Sequence, residues 1–248
     1  MNSSSKSITK KRRRPLYLYP IDEFLKQDNV AEFSRRVSDE ELFDSDQYEL
    51  KRYLFKAVKY DCVFMAMYLL AKLKENDKTR ETLFFNYINK NNETLLHIVS
   101  RCNHTDICKI LLSYVTRESE SKFHFLRETC DSKKNAFTAA ALNGSFELAK
   151  LIMNKLKEIE TSEEDILHII RQKNCWGMSA LEASLLYEFP RTLKLLLENG
   201  ESAADHFDSL STKDIMEKFE KNYPLIYPIL VNEFGIFSCL FLSTFLFF

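Results

Sequence analysis

Glu93–Leu112, ETLLHIVSRCNHTDICKILL, reads as two short helices joined by a tight turn. Apolar residues fall at Leu95, Leu96, Val99 and Cys102, then at Ile107, Ile110 and Leu111. Each half therefore carries one apolar stripe at helical spacing. The Thr94 hydroxyl is placed to cap the first helix. Asn103 stands at the junction, where left-handed backbone is easiest for Gly or Asn. Two helices this short cannot bury both stripes alone, so the stretch predicts copies of itself alongside.

The copies are present. Aligning Leu96 with Leu54, Phe137 and Leu181 gives spacings of 42, 41 and 44 residues. The units are YLFKAVKYDCVFMAMYLL (Tyr53–Leu70), LLHIVSRCNHTDICKILL (Leu95–Leu112), AFTAAALNGSFELAKLIM (Ala136–Met153) and ALEASLLYEFPRTLKLLL (Ala180–Leu197). The interhelix turn position holds Asp61, Asn103, Gly144 and Glu188. The first three tolerate positive φ. Glu188 does so less well, and Pro190 is expected to reset that turn.

These residues resemble the ankyrin repeat. Thr94-Leu-Leu-His97 is similar to its Thr-Pro-Leu-His signature, with Leu95 in place of proline. Asn174-Cys-Trp-Gly-Met-Ser179 resembles the hairpin before that signature, and Leu195-Leu-Leu-Glu-Asn-Gly200 the second helix with its terminal glycine. The chain has four glycines, and Gly144, Gly177 and Gly200 fall where the family uses glycine for its backbone. The resemblance spans roughly residues 20–205. It departs from the pattern in a period above the usual ~33 residues and in a signature histidine that occurs once. HEAT-like and TPR-like solenoids have similar periods and stay open at this point. The resemblance implies an all-α helical solenoid with short hairpin fingers. It also implies that His97 is structural, hydrogen-bonding backbone near the next hairpin, and that partners are bound on the hairpins and concave inner helices.

The division expected along the chain is a basic tail over 1–15, a capping half-repeat over 20–45, four repeats over 46–202, a helical cap over 203–232 and an apolar tail over 234–248. Residues 1–15 carry six positive charges and no acid; with a formal net charge of −1, the remainder is −1 − 6 = −7. Lys10, Lys11, Arg12, Arg13 and Arg14 form a dense cationic run, read either as a nuclear localisation signal or as a solvated tail. A folded nucleic-acid-binding face is not indicated. The expected location is cytoplasmic or nuclear, with membrane association as the alternative.

Three stretches between repeats, roughly Lys72–Asn91, Ser113–Lys134 and Asn154–Trp176, account for the long period. Each ends in an apolar knot, such as Phe123, Phe125 and Leu126, or Ile166, Leu167, Ile169 and Ile170. An extra short helix explains the knots better than a structureless loop. Ser162 and Asp165 fit the start of one.

The tail FGIFSCLFLSTFLFF (residues 234–248) has no charge and six phenylalanines. As a helix its 15 residues span about 22 Å, short of the ~30 Å hydrocarbon core. A membrane anchor or interfacial segment through Phe237, Leu240, Phe241 and Phe245, a helix docked on the last repeat, and a tail without function are the three readings.

No catalytic, cofactor or metal site is read. There is no phosphate-cradling glycine loop, no HExxH and no Cys/His metal spacing. Six cysteines without CxxC spacing read as reduced core thiols. Trp176, the one tryptophan, is expected at a hairpin tip, either as a binding anchor or packed on the neighbouring insertion. The function expected is non-catalytic protein–protein interaction, as a scaffold or a masking regulator of an unidentified protein. A membrane-tethered ankyrin domain and a nuclear regulator are the alternatives.

Overall fold

The computed structural model describes residues 23, 26–38, 42, 48–76, 88–115, 125–159, 162–200, 221 and 224–229. The cationic run 10–14, the tail 234–248 and nearly all of 203–232 lie outside them. Among the described residues the helices are α1 (Val30–Arg36), α2 (Tyr48–Lys59), α3 (Val63–Asn76), α4 (Leu95–Cys102), α5 (Thr105–Ser113), α6 (Ala136–Leu142), α7 (Phe146–Glu158), α8 (Glu163–Ile170), α9 (Ala180–Leu186) and α10 (Pro190–Leu197). The β-pairing is an isolated bridge between Ile88 and Thr94.

The first helices of the repeats, α2, α4, α6 and α9, pack in series as one layer. The second helices, α1, α3, α5, α7 and α10, form the other. Between them runs a continuous core from Phe33 to Ile226. Small residues let the first layer close up: Ala136, Ala139, Ala140 and Ala141 of α6 are all buried.

The helix pairs share one local device. Asp61, Asn103, Gly144 and Glu188 have φ of 58°, 62°, 66° and 53°. The next N–H reaches back five residues in every case: Cys62 to the Ala57 carbonyl (2.9 Å), His104 to Val99 (3.2 Å), Ser145 to Ala140 (2.9 Å) and Phe189 to Ser184 (2.9 Å). This bond satisfies a carbonyl that the helix end would leave orphaned. Pro190 does not reset the last turn. It takes the first position of α10, where a missing N–H costs nothing, and Glu188 keeps the left-handed backbone.

Asp28 adopts the same backbone, at φ 51°. It precedes Asp61 by 33 residues (61 − 28), so the N-terminal unit carries the turn of the full repeats without their insertion. Its carboxylate accepts from the N–H groups of Phe64 (2.9 Å) and Met65 (2.7 Å), capping α3 from the neighbouring unit.

Helix is present at 125–127 in the second insertion and over Glu163–Ile170 in the third, while the apolar knot of the first lies almost wholly outside the described residues. Ser162 caps α8, its hydroxyl accepting from the Asp165 N–H at 3.1 Å. Phe125 and Leu126 are buried in the helical stretch 125–127, from which Arg127 pairs with Asp165. The Ser162 hydroxyl, and then Arg127, hold the Asp165 carboxyl below its usual range. The second and third insertions are thereby tied to each other.

Candidate functional site

The last three repeats each present two open edges, one at the finger and one at the interhelix turn. The fingers are hairpins over residues 89–93, 130–134 and 174–178. In each the first N–H donates to the fifth carbonyl, at 3.0 Å in all three. The fourth N–H returns to the first carbonyl: Asn92 to Asn89 at 3.0 Å, Lys133 to Cys130 at 2.7 Å and Gly177 to Asn174 at 2.9 Å. Asn92, Lys133 and Gly177 are left-handed, each 11 residues before a left-handed turn residue (92 to 103, 133 to 144, 177 to 188).

Adjacent fingers are joined. The Asp131 N–H donates to the Asn91 carbonyl (3.1 Å), the Cys175 N–H to Ser132 (2.9 Å), and Asn92 Nδ2 to the Asp131 carboxylate (2.6 Å). The fingers thus form one strip. Its last member is braced by Asn174, a buried side chain whose Oδ1 accepts from the N–H groups of Trp176 (2.9 Å) and Met178 (3.0 Å). The Trp176 ring is 76% exposed rather than packed on the neighbouring insertion. A rigid backbone therefore holds a large aromatic side chain out in solvent.

Beneath the strip, side chains at the helix starts lock finger to helix. Thr94 caps α4, Asn135 caps α6 and Ser179 caps α9. His97 is buried. The Thr94 N–H donates to its Nδ1 at 3.2 Å, so Nε2 carries the proton and donates to the Lys134 carbonyl of the next finger at 2.8 Å. Burial is the leading cause holding the His97 pKa below its usual 6.5, which keeps the ring neutral. Asn135 makes a comparable cross-repeat bond, Nδ2 to the Ile169 carbonyl at 2.7 Å. Sequence reasoning missed this one, because the acceptor belongs to an insertion 34 residues away.

At the other edge, Asn103 and Gly144 are the left-handed turn residues, while Gly177 belongs to the finger and Gly200 (φ 88°) follows α10. A Cβ on Gly144 would lie 2.8 Å from the Phe189 ring of the next repeat; one on Gly177 would meet nothing within 4 Å. Leu186 (49% exposed) and Tyr187 (52%) stand at the end of α9, unremarked in the sequence beside the glycines. Burial pushes the Cys62 thiol up to about 11 and Cys108 to about 12, so both stay protonated and inert near neutrality.

The family profile "Ankyrin repeats (many copies)" matches residues 54–112. The crystal structure of EF0377, an ankyrin repeat protein, matches with a TM-score of 0.56 at 18% identity, covering 85% of this chain and 95% of that one. Residues 54–112 are ankyrin repeats, and the array has the ankyrin-repeat fold. No curated protein matches the sequence significantly. Ankyrin repeats are in general protein–protein interaction modules. The layer α2, α4, α6 and α9 corresponds to the inner helices of such an array. Among the described residues no helix is long and apolar enough to cross a membrane.

Proposed function

We propose that this ankyrin array is a non-catalytic binding module that engages a protein partner through its finger strip and the adjoining inner-helix ends. The observation that carries the reading is Trp176, exposed on a finger whose backbone is hydrogen-bonded within itself and to the preceding finger. An aromatic anchor held in its bound geometry loses little conformational freedom on docking. The opposite edge, at the far end of α9, adds Leu186 and Tyr187, so apolar area sits at both open edges of the last repeat.

The test is capture of partners from cell extract by the full chain and by Trp176→Ala, followed by binding measurements on the captured protein. Loss of an interface anchor costs about 2 kcal/mol or more of affinity. An exposed side chain changes stability by only about 0.5 kcal/mol. Equal affinity for the two forms removes Trp176 from the interface.

A further inference from the structure

We infer that the interhelix-turn edge recognises a protein segment that is acidic at one end and bulky and apolar at the other, lying across the repeats. This rests on the binding-module reading and specifies its partner.

The residue two before each left-handed turn residue is Lys26, Lys59, Arg101, Leu142 and Leu186 in successive units. The residue one before is Gln27, Tyr60, Cys102, Asn143 and Tyr187. Neither row holds an acid. Lys26, Lys59, Arg101 and Leu186 are exposed, and Leu142 is half-buried. The rows are contiguous: the ammonium groups of Lys26 and Lys59 both lie over the Tyr60 ring, at 5.6 and 5.7 Å from its centroid. Asn143 Nδ2 donates to the Arg101 carbonyl at 3.4 Å, and α6 packs on α9.

Cationic charge is thus concentrated at the first units, with the exposed Tyr60 ring among it, while Leu186 and Tyr187 stand exposed at the last. Inner helix α2 has four cations (Lys51, Arg52, Lys56, Lys59) and one acid (Glu49), a net of 4 − 1 = +3. Helices α6 and α9 together contain one charge, Glu182. Two of the acids nearest the basic end, Asp28 and Glu93, are engaged within the fold. Asp28 caps α3, and Glu93 pairs with Arg101 at 3.1 Å, which compensates that guanidinium in turn. Asp61 is half-exposed, 3.9 Å from a His104 Nδ1 that is bonded to the Val58 carbonyl, so the cationic character is carried chiefly by Lys26 and α2. An anionic group is therefore complementary at the first three units, and an aliphatic or aromatic group at the last two. Five units at the ~10 Å spacing of packed helices extend about 40 Å, the length of about 12 residues of extended chain. A linear segregation on that scale suits a peptide, whereas a membrane surface would meet both ends at one depth.

The experiment is selection of a random 16-residue phage-displayed peptide library on the immobilised full chain, with the selected peptides measured by fluorescence anisotropy. Expected binders carry Asp and Glu at one end and Leu, Phe, Tyr or Trp at the other. Lys59→Glu and Arg101→Glu should each weaken them about tenfold, with a smaller effect at high salt. Leu186→Asp should weaken them comparably, and Lys157→Glu on outer helix α7 should not. Circular dichroism and melting confirm that each variant is folded. Binders that compete with one another but ignore Lys59→Glu and Arg101→Glu overturn the polarity while leaving the binding module standing. Absence of any enrichment overturns both. Should the row variants keep peptide binding and lose sedimentation with phosphatidylserine vesicles, the edge faces lipid and the inference fails.

Discussion

The finger edge and the turn edge use the same backbone conformation at an 11-residue offset, yet they are built to different tolerances. At the fingers the left-handed residue is at the tip, with open space around Gly177. At the Gly144 turn it is pressed against the next repeat, with Phe189 over it, whereas Asp61 and Asn103 are exposed. The finger at Gly177 therefore constrains its residue only through φ and ψ, whereas the turn at Gly144 also constrains it through packing. Side chains can vary at the tips without touching the core, which is where a binding surface is free to change.

The largest expected effect is at the packed edge. Gly144→Val forces a β-branched residue into left-handed backbone and drives its Cβ into Phe189, so the array should lose about 3 kcal/mol, read as a lower Tm and urea midpoint. An unchanged melt would show that Phe189 moves aside and that the two edges are equally tolerant. Among the turns, Glu188 is the costly member. It is a non-glycine residue at φ 53°, and its Oε1 is buried with no hydrogen-bond partner among the described residues. Glu188→Gly should raise stability by about 1 kcal/mol, the scale of the left-handed penalty. A loss instead would show that the side chain makes contacts that outweigh the strain.

At the open edge, Gly177→Ala should cost about 1 kcal/mol through backbone alone. If it cost as much as Gly144→Val, packing would not distinguish the edges. Trp176→Ala should leave the melt almost unchanged while lowering partner affinity, and equal losses in both would place the ring in the fold.

The smallest effect expected is the pH response of the lock between finger and helix. The folded pKa of His97 is below the unfolded value near 6.5, so the unfolded chain binds the extra proton first. The neutral-ring contribution is complete above about 6.5 and is lost as pH falls towards the folded value. Urea titrations from pH 7.5 downward should show a stability difference between wild type and His97→Gln that shrinks on acidification. A constant difference would mean that His97 does not titrate between the two states.

Much of the candidate site was legible as register. Placing Asn103 at the junction also places Arg101 and Cys102 two and one residues before it, and the same count through the repeats marks both rows of the turn edge. Trp176 was visible at a hairpin tip from its place beside Gly177. Its exposure was not, because whether an aromatic ring packs on an insertion depends on where that insertion folds. Glu188 was misjudged for a related reason. Propensity speaks against a left-handed glutamate, but four turns in one stack must close alike for their helices to stay in layers.

The sequence by itself determined the repeat register, the helix starts at Thr94 and Ser162, and the turns at Asp61, Asn103 and Gly144. Each depends on residues within a turn or two of one another, so short-range sterics and hydrogen bonding decide them. Only the tertiary structure decided the bonds between units. These are Asp28 capping α3, His97 reaching Lys134, Asn135 reaching Ile169 and Phe189 closing over Gly144. Their partners lie tens of residues apart in the chain and meet only when stacking brings the units to a fixed offset, which no local propensity encodes.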